Sequence, residues 1–236
     1  MAKTTLVTGA TKGIGRAITD RLIRDGYEVI GIARSADASF PGTLYLADLS
    51  DEADTDRVMA EILGKHAIHN LVNNAGIAAF GPIREFSTTD LRRLFEVNVR
   101  AAAQVAKAVI PAMVERKKGR IVNITSIAEL GRAATPAYSA TKAGLHAMTR
   151  SWAIDLASAG ITVNSVSPGV TATDTYNANN PPGHPRRAAV EAFLPMGRFG
   201  EPAEIAAAVM YFLADDAGYT TGQALYVSGG WEIVAP

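Results

Sequence analysis

The sequence predicts an α/β domain in which a parallel β-sheet is covered by helices on both faces. Three observations predict it. Short apolar runs alternate with longer stretches of helical periodicity. The short runs lack a clean polar alternation, as expected of strands buried on both sides. A glycine-rich turn also joins the first run to the first helical stretch. The 236 residues fit one such domain with a large single core, and no Pro/Ser-rich or charged linker divides them. Residues 1–236 are therefore read as one domain.

Thr4–Val7 is the first strand, and "TLVTGATKGIGRAI" then places Gly9, Gly13 and Gly15 before a helix. Ile14, Ile18 and Leu22 recur along that helix at four-residue spacing, and Gly26 stops it. Strands follow at Glu28–Ile32 and Thr43–Leu46, then a crossover helix over Asp51–Gly64. Asn70–Asn73 is the fourth strand, and Asp90–Glu115 reads as helix. After a strand at Arg120–Ile124, Thr135 can cap a helix with Pro136 at its first position. Leu145, Met148, Trp152 and Leu156 mark its buried stripe, and Gly160 ends it. Ile161–Val166 and Leu225–Val227 complete the strands. Between them, residues 173–200 have no steady periodicity and read as an excursion over a site.

Composition excludes several classes of function. Lysine plus arginine equals aspartate plus glutamate at 23 each, so no net charge draws the chain to nucleic acid or anionic lipid. Without cysteine there are no disulfides or thiolate metal sites, which suits a reducing cytoplasm. The longest apolar run, Ile205 to Ala214, is far short of the roughly 20 residues a membrane span needs, and no signal peptide is expected before the first strand. His66 and His69 have a spacing that suits a metal but lack a further ligand, so a solvated turn is expected and no metal.

Three turns at C-terminal strand ends suit a nucleotide. The glycine turn allows close backbone approach, and the helix behind it offers free N–H groups and a positive dipole end to a pyrophosphate. "LVNNAG" gives Asn74, Ala75 and Gly76, and "VNSVSPGVTAT" gives Pro168, Gly169, Val170 and Thr173. Asp48 either holds an adenine amino group or caps the helix that follows. The second strand ends with Ala33, where an acid would meet a ribose 2′-hydroxyl, and Arg34 and Lys12 suit a 2′-phosphate instead.

Tyr138 and Lys142 stand one helical turn apart on one face. A phenol titrates near about 10, and a neighbouring cation lowers it by roughly 1–3 units, into the range of useful acid–base catalysis. Ser126, just beyond a strand, is suited to hold a substrate oxygen and its developing charge. Glu129, three residues on, is read as a pocket-lining residue, and His146 as packed at a subunit interface.

Taken in this order and spacing, the motifs resemble the short-chain dehydrogenase/reductase family along essentially the whole chain. They are Thr8-Gly9-Ala10-Thr11-Lys12-Gly13-Ile14-Gly15, Asn73-Asn74-Ala75-Gly76, Asn98, Ser126, Tyr138-x-x-x-Lys142, and Pro168-Gly169-Val170 with Thr173. The resemblance implies a three-layer, doubly wound Rossmann fold with a seven-stranded parallel sheet. It implies a bound nicotinamide dinucleotide, which Ala33, Arg34 and Lys12 narrow to NADP(H), reached also by Leu49 beside Asp48 and by Tyr138 and Lys142, and a small carbonyl or alcohol substrate. It further implies a homotetramer, or failing that a dimer. By the same resemblance Asn98, Ser126, Tyr138 and Lys142 are the catalytic group, with Asn98 kinking its helix and holding a water that links Lys142 to solvent. "LPMGRFGEPAEIA" resembles 3-oxoacyl-thioester reductases, an alternative to a general carbonyl reductase; a non-catalytic nucleotide sensor is a remoter one. Two departures stand out. Ser126 lies one residue nearer the tyrosine than the family's interval, which would select Thr125. Ser228 replaces a common aspartate at an expected subunit contact.

Overall fold

The computed structural model describes residues 2–181 and 183–234. Its strands are β1 (Thr4–Thr8), β2 (Glu28–Ala33), β3 (Thr43–Leu46), β4 (Asn70–Asn73), β5 (Gly119–Ile124), β6 (Ile161–Pro168) and β7 (Ala224–Val227). They form one sheet in the order β3-β2-β1-β4-β5-β6-β7, and every neighbouring pair is parallel. The chain thus winds outward from β1 in one direction, crosses over, and winds outward from β4 in the other. A crevice opens at that reversal, beyond the carboxyl ends of β1 and β4.

Side chains of successive strand residues point to opposite faces, and both faces are packed. Leu6 and Ile30 join Val58 and Ile62 of α2 (Glu52–Leu63) and Val105 and Val109 of α4 (Ala101–Glu115) on one side. Val7 and Val29 join Ile18 and Leu22 of α1 (Gly13–Arg24) and Ile205, Val209 and Phe212 of α8 (Pro202–Leu213) on the other. Double burial explains the missing polar alternation. The helix α8 carries a capping box between Glu201 and Glu204 with Pro202 at its start.

Several elements differ from the sequence expectation. The stretch read as one helix over 90–115 is α3 (Thr88–Phe95), a π-helical turn (Glu96–Arg100), and α4. Asn98 sits inside that turn and is buried. A π turn widens the helix by one residue and redirects the side chains on it. In α5 (Pro136–Leu156) the face turned inward carries Thr141, Lys142, Leu145, Thr149 and Ala153, whereas Met148, Trp152 and Leu156 are only half-buried. The stripe was misplaced because buried threonines carry no apolar signal. Thr149 donates to the Leu145 carbonyl and accepts from Asn123. Thr135 does not cap α5. Its hydroxyl donates to the Arg132 carbonyl and contacts Ser139.

The excursion holds two short helices, α6 (Asp174–Asn179) and α7 (Pro185–Phe193). It is tied back where Thr171 bridges Gly200. A four-residue helix, α9 (Trp231–Val234), closes the described chain. Its Trp231 packs with Ile127, Leu194 and Phe199 in a small third cluster.

Candidate active site

A cleft of about 440 Å³ lies at the reversal between β1 and β4. Its floor is the glycine turn, where Gly9, Thr11, Lys12, Gly13, Ile14 and Gly15 all line it. Gly9 has φ +65°, and a Cβ there would come within 3.0 Å of the Ala75 Cα. Gly15 has ordinary helical geometry, but a Cβ on it would lie 2.1 Å from the Gly9 carbonyl oxygen. One glycine is needed for its backbone, the other for space, and together they keep the start of α1 open to a ligand.

The far wall is the end of β4. Asn74 donates its amide to the carbonyls of Thr8 (2.9 Å) and Gly9 (3.1 Å), while the backbone N–H groups of Asn74 and Ala75 both donate to the Thr8 hydroxyl. The asparagine is thus a clasp across the reversal rather than a local turn former. Arg34, Ser35, Asp48, Leu49, Ser50 and Thr173 line the cleft elsewhere. Asp48 does not cap α2; Asp51 does, accepting from the Asp54 N–H at 2.9 Å. Asp48 instead accepts from the N–H and hydroxyl of Ser50, which holds its carboxyl below the usual range, with Arg34 adding to the effect. Arg93 and Val97, on α3 and the π turn, also reach the cleft. They were missed because nothing in a helix read from sequence fixes which of its faces borders a crevice built by distant turns.

Gly76 joins this cleft to the second candidate group. A Cβ there would stand 3.2 Å from Asn98 Oδ1 and 3.4 Å from Lys142 Nζ. Lys142 is buried and donates to the Ile124 carbonyl at 2.8 Å, at the end of β5. Burial pulls its ammonium down to about 8, and the Glu129 carboxylate pulls the other way. Asn98 is held at both ends: Oδ1 accepts from the Ile77 N–H at 2.8 Å, and Nδ2 donates to the Ile77 carbonyl and to Thr141.

The Tyr138 ring lies with its centroid 5.8 Å from Lys142 Nζ and 6.4 Å from the centroid of the exposed Phe80 ring. Part of the ring remains exposed, yet packing around it pushes the phenol above its ordinary value, opposed by a hydrogen bond with Ser126. The sequence reading expected Lys142 to lower it. With the ammonium turned to Ile124, desolvation governs and the phenol stays protonated. The two adjacent hydroxyls part company here. Thr125 Oγ1 is buried against β6, at 3.2 Å from the Val166 carbonyl and 2.5 Å from Ser167 Oγ. Ser126 caps the short turn Ile127–Leu130, accepting from the Ala128 N–H at 3.1 Å, on the side of Tyr138.

Pro168, Gly169 and Val170 leave the end of β6 and do not line the cleft floor. Gly169 is pressed against Ser228, where a Cβ would stand 2.7 Å from the Ser228 Cα. Ser228 is itself buried and caps α9, accepting from the Trp231 N–H and donating to Glu232. His66 and His69 do not converge: His66 Nε2 bonds the Tyr45 hydroxyl, and His69 Nδ1 accepts from the Thr4 N–H. Among the described residues no cluster is suited to hold a metal ion. Among the described residues no helix is long and apolar enough to cross a membrane.

Comparison with known proteins agrees with this geometry. Residues 9–232 match a family model described as enoyl-(acyl carrier protein) reductase. The chain is 35% identical over 242 residues to the 3-oxoacyl-(acyl-carrier-protein) reductase FabG of Vibrio cholerae serotype O1, covering 98% of both chains. Among solved structures it resembles the ligand-free aldohexose dehydrogenase of Thermoplasma acidophilum, at a TM-score of 0.92 and 30% identity, over 100% of this chain and 96% of that one. It also resembles ElxO with NADP bound, at a TM-score of 0.92 and 27% identity, over 98% and 99%.

Proposed function

The chain belongs to the short-chain dehydrogenase/reductase family, and from this we infer that it is an NADP(H)-dependent oxidoreductase interconverting a ketone or aldehyde and an alcohol. The observation that carries the reading is the junction at Gly76, where the nucleotide-shaped cleft meets Lys142 and Asn98. The cleft fits the dinucleotide. Its floor is the glycine turn at the start of α1, whose close packing against Ala75 and the Gly9 carbonyl leaves no room for a Cβ at Gly9 or Gly15, and the exposed Lys12 and Arg34 that line it form no ion pair with a carboxylate among the described residues. Lys12, Arg34 and the absence of an acid at Ala33 support a preference for the 2′-phosphate form.

When bound, the nicotinamide supplies or accepts the hydride. The chain's residues handle the proton and the charge. Tyr138, protonated in its packed surroundings, donates to the carbonyl oxygen as charge develops there. Ser126 donates to the same oxygen and spreads that charge. Lys142 supplies positive charge behind the phenol and is fixed by Ile124. Asn98 holds the Ile77 backbone at the cleft's end. The loops after Gly76 and Ser126 meet where the Gly81 N–H donates to the Ala134 carbonyl, and we assign the substrate walls to them together with residues 173–181 and 183–200.

A second reading is favoured by the FabG relative: a 3-oxoacyl thioester as the carbonyl substrate. Assaying NADPH oxidation with simple ketones, sugar-derived ketones and acetoacetyl thioesters tests both. Turnover of none of these would overturn the oxidoreductase reading. We read the assembly as a tetramer built through α4 and α5, supported by exposed Val114 and Ile154 on those helices. A cytoplasmic location fits the absence of cysteine.

A further inference from the structure

Glu129 does not line an open pocket. Its side chain is only 3% exposed, and its Oε1 accepts three hydrogen bonds. They come from His146 Nδ1 on α5 at 2.7 Å, the Tyr226 hydroxyl on β7 at 2.8 Å, and Ser167 Oγ on β6 at 3.3 Å. Its Oε2 is buried with no partner. The three donors lie 17, 97 and 38 residues away in sequence, so the cluster has no local purpose. It joins the turn that begins with Ser126 to two strands and to the helix of Tyr138 and Lys142. A carboxylate so enclosed is costly unless its charge serves something nearby.

What lies nearby is Lys142, one turn before His146 on the same helix. The groups bonded to Glu129 are His146 from α5, Ser167 from β6 and Tyr226 from β7; Lys142 stands one turn from His146 on the same face of α5, and Glu232 of α9 acts on Tyr226 from beyond. Those facing Lys142 are the Tyr138 ring, the Asn98 amide oxygen across Gly76 and the Ile124 carbonyl, none of them charged. Glu129 is therefore the one carboxylate acting on Lys142 among the described residues. Tyr226, pushed up to about 12 by burial and by this same carboxylate, remains a hydrogen-bond donor throughout the working range.

We propose that Glu129, clamped by His146, Tyr226 and Ser167, is a positioning residue whose buried charge keeps Lys142 an ammonium and thereby sets the alkaline limit of the enzyme. The inference rests on the reading of Lys142 as the cation of the active site. Its direct test does not depend on activity. Glu129→Gln keeps an oxygen for the three donors, removes the charge, and puts an amide NH2 where the unpartnered Oε2 stood. In protein labelled with nitrogen-15 at the lysine ammonium, the Lys142 signal is identified by its loss in Lys142→Met and followed against pH. The wild-type midpoint is expected at about 8. Glu129→Gln should lower it by about one unit, the scale of one close opposite charge. The alkaline limb of kcat/KM should move down with it, while rates on the acid side stay near those of the wild type.

An unchanged or raised midpoint in Glu129→Gln overturns the proposal. If the midpoint falls but the rate profile does not follow, the link to catalysis is overturned, and the role of Lys142 is then in question separately. Tyr226→Phe guards against a misfolded glutamine variant. It removes one donor and leaves the carboxylate charge less neutralised, so the Lys142 midpoint should hold or rise; a fall would overturn the proposal equally.

Discussion

Thr125 and Ser126 are adjacent hydroxyls of which only one can serve a substrate, and their variants should fail in different ways. Thr125→Val keeps the shape and removes two buried bonds, to the Val166 carbonyl and to Ser167. Neither partner is orphaned. Val166 still accepts from the Thr125 N–H at 2.9 Å, and Ser167 keeps Glu129 at 3.3 Å. The cost is therefore that of the bonds alone, about 1–2 kcal/mol, or a fall in Tm of about 2–8 °C for a chain of this size. Turnover should stay within about tenfold, because no donor to the transition state is lost. Ser126→Ala forfeits the cap on the Ala128 N–H, a comparable stability loss of about 0.5–2 kcal/mol. Its kcat should nonetheless drop by about 10²–10³, the scale of one oxyanion donor. Thermal melts and steady-state kinetics on the best substrate separate the two effects. If Thr125→Val loses turnover while Ser126→Ala retains it, the strand register does not select the serine and the reasoning fails.

Three further outcomes follow from the same site. Tyr138→Phe should bind NADPH with near wild-type affinity, read by fluorescence quenching, and lose nearly all turnover; a kcat close to wild type would remove the phenol from the mechanism. Wild-type enzyme should show a lower KM for NADPH than for NADH, and Ala33→Asp/Arg34→Ala should abolish that preference; a wild type preferring NADH refutes the role given to Arg34 and Lys12. Lys142→Met should be inactive, and its stability relative to wild type should depend on pH, because it removes a buried ammonium while leaving the Glu129 carboxylate in place. The lysine titrates at about 8 when folded and at 10.5 when not, so between those values the unfolded chain binds more protons and wild-type stability rises with pH. The stability of the methionine variant relative to wild type, measured by denaturant unfolding, should therefore fall as pH rises through that window; a difference independent of pH would mean that packing rather than charge is responsible.

The strands and the glycine turn were legible because each is written locally: a doubly buried strand is an apolar run, and Gly9 and Gly15 are what a close backbone approach demands. Strand ends were off by one or two residues, as at Thr8 and Pro168, where the last paired residue carries no signal of its own. The split of the helix near Asn98 is not legible in the periodicity of the residues, although the family resemblance implied a kink there; the π turn is held by the Asn98 side chain through its bonds to Ile77 and Thr141, which lie far from it in sequence. The start of that helix was, in retrospect: Ser87 accepts from the Asp90 N–H, an ordinary cap three residues from its partner. For Glu129 and His146 the residue types were noticed and their relation was not. Seventeen residues separate them in sequence, and only the packing of α5 over β6 and against the Ile127–Leu130 turn brings them to 2.7 Å.

The reversal between β1 and β4 also shapes how the chain reaches its native state. Pairing β1 with β2 joins Thr4 to Glu28, whereas pairing β1 with β4 joins Thr5 to Asn70. Closing the longer loop costs about 1 kcal/mol more in chain entropy, and such non-local pairings form slowly. The Asn74 clasp can engage Thr8 and Gly9 only after that closure. A dinucleotide lying across the same seam would bind the closed form alone, so it should slow unfolding without hastening folding. In a cell, the supply of cofactor would then govern how long the enzyme survives as well as how fast it turns over.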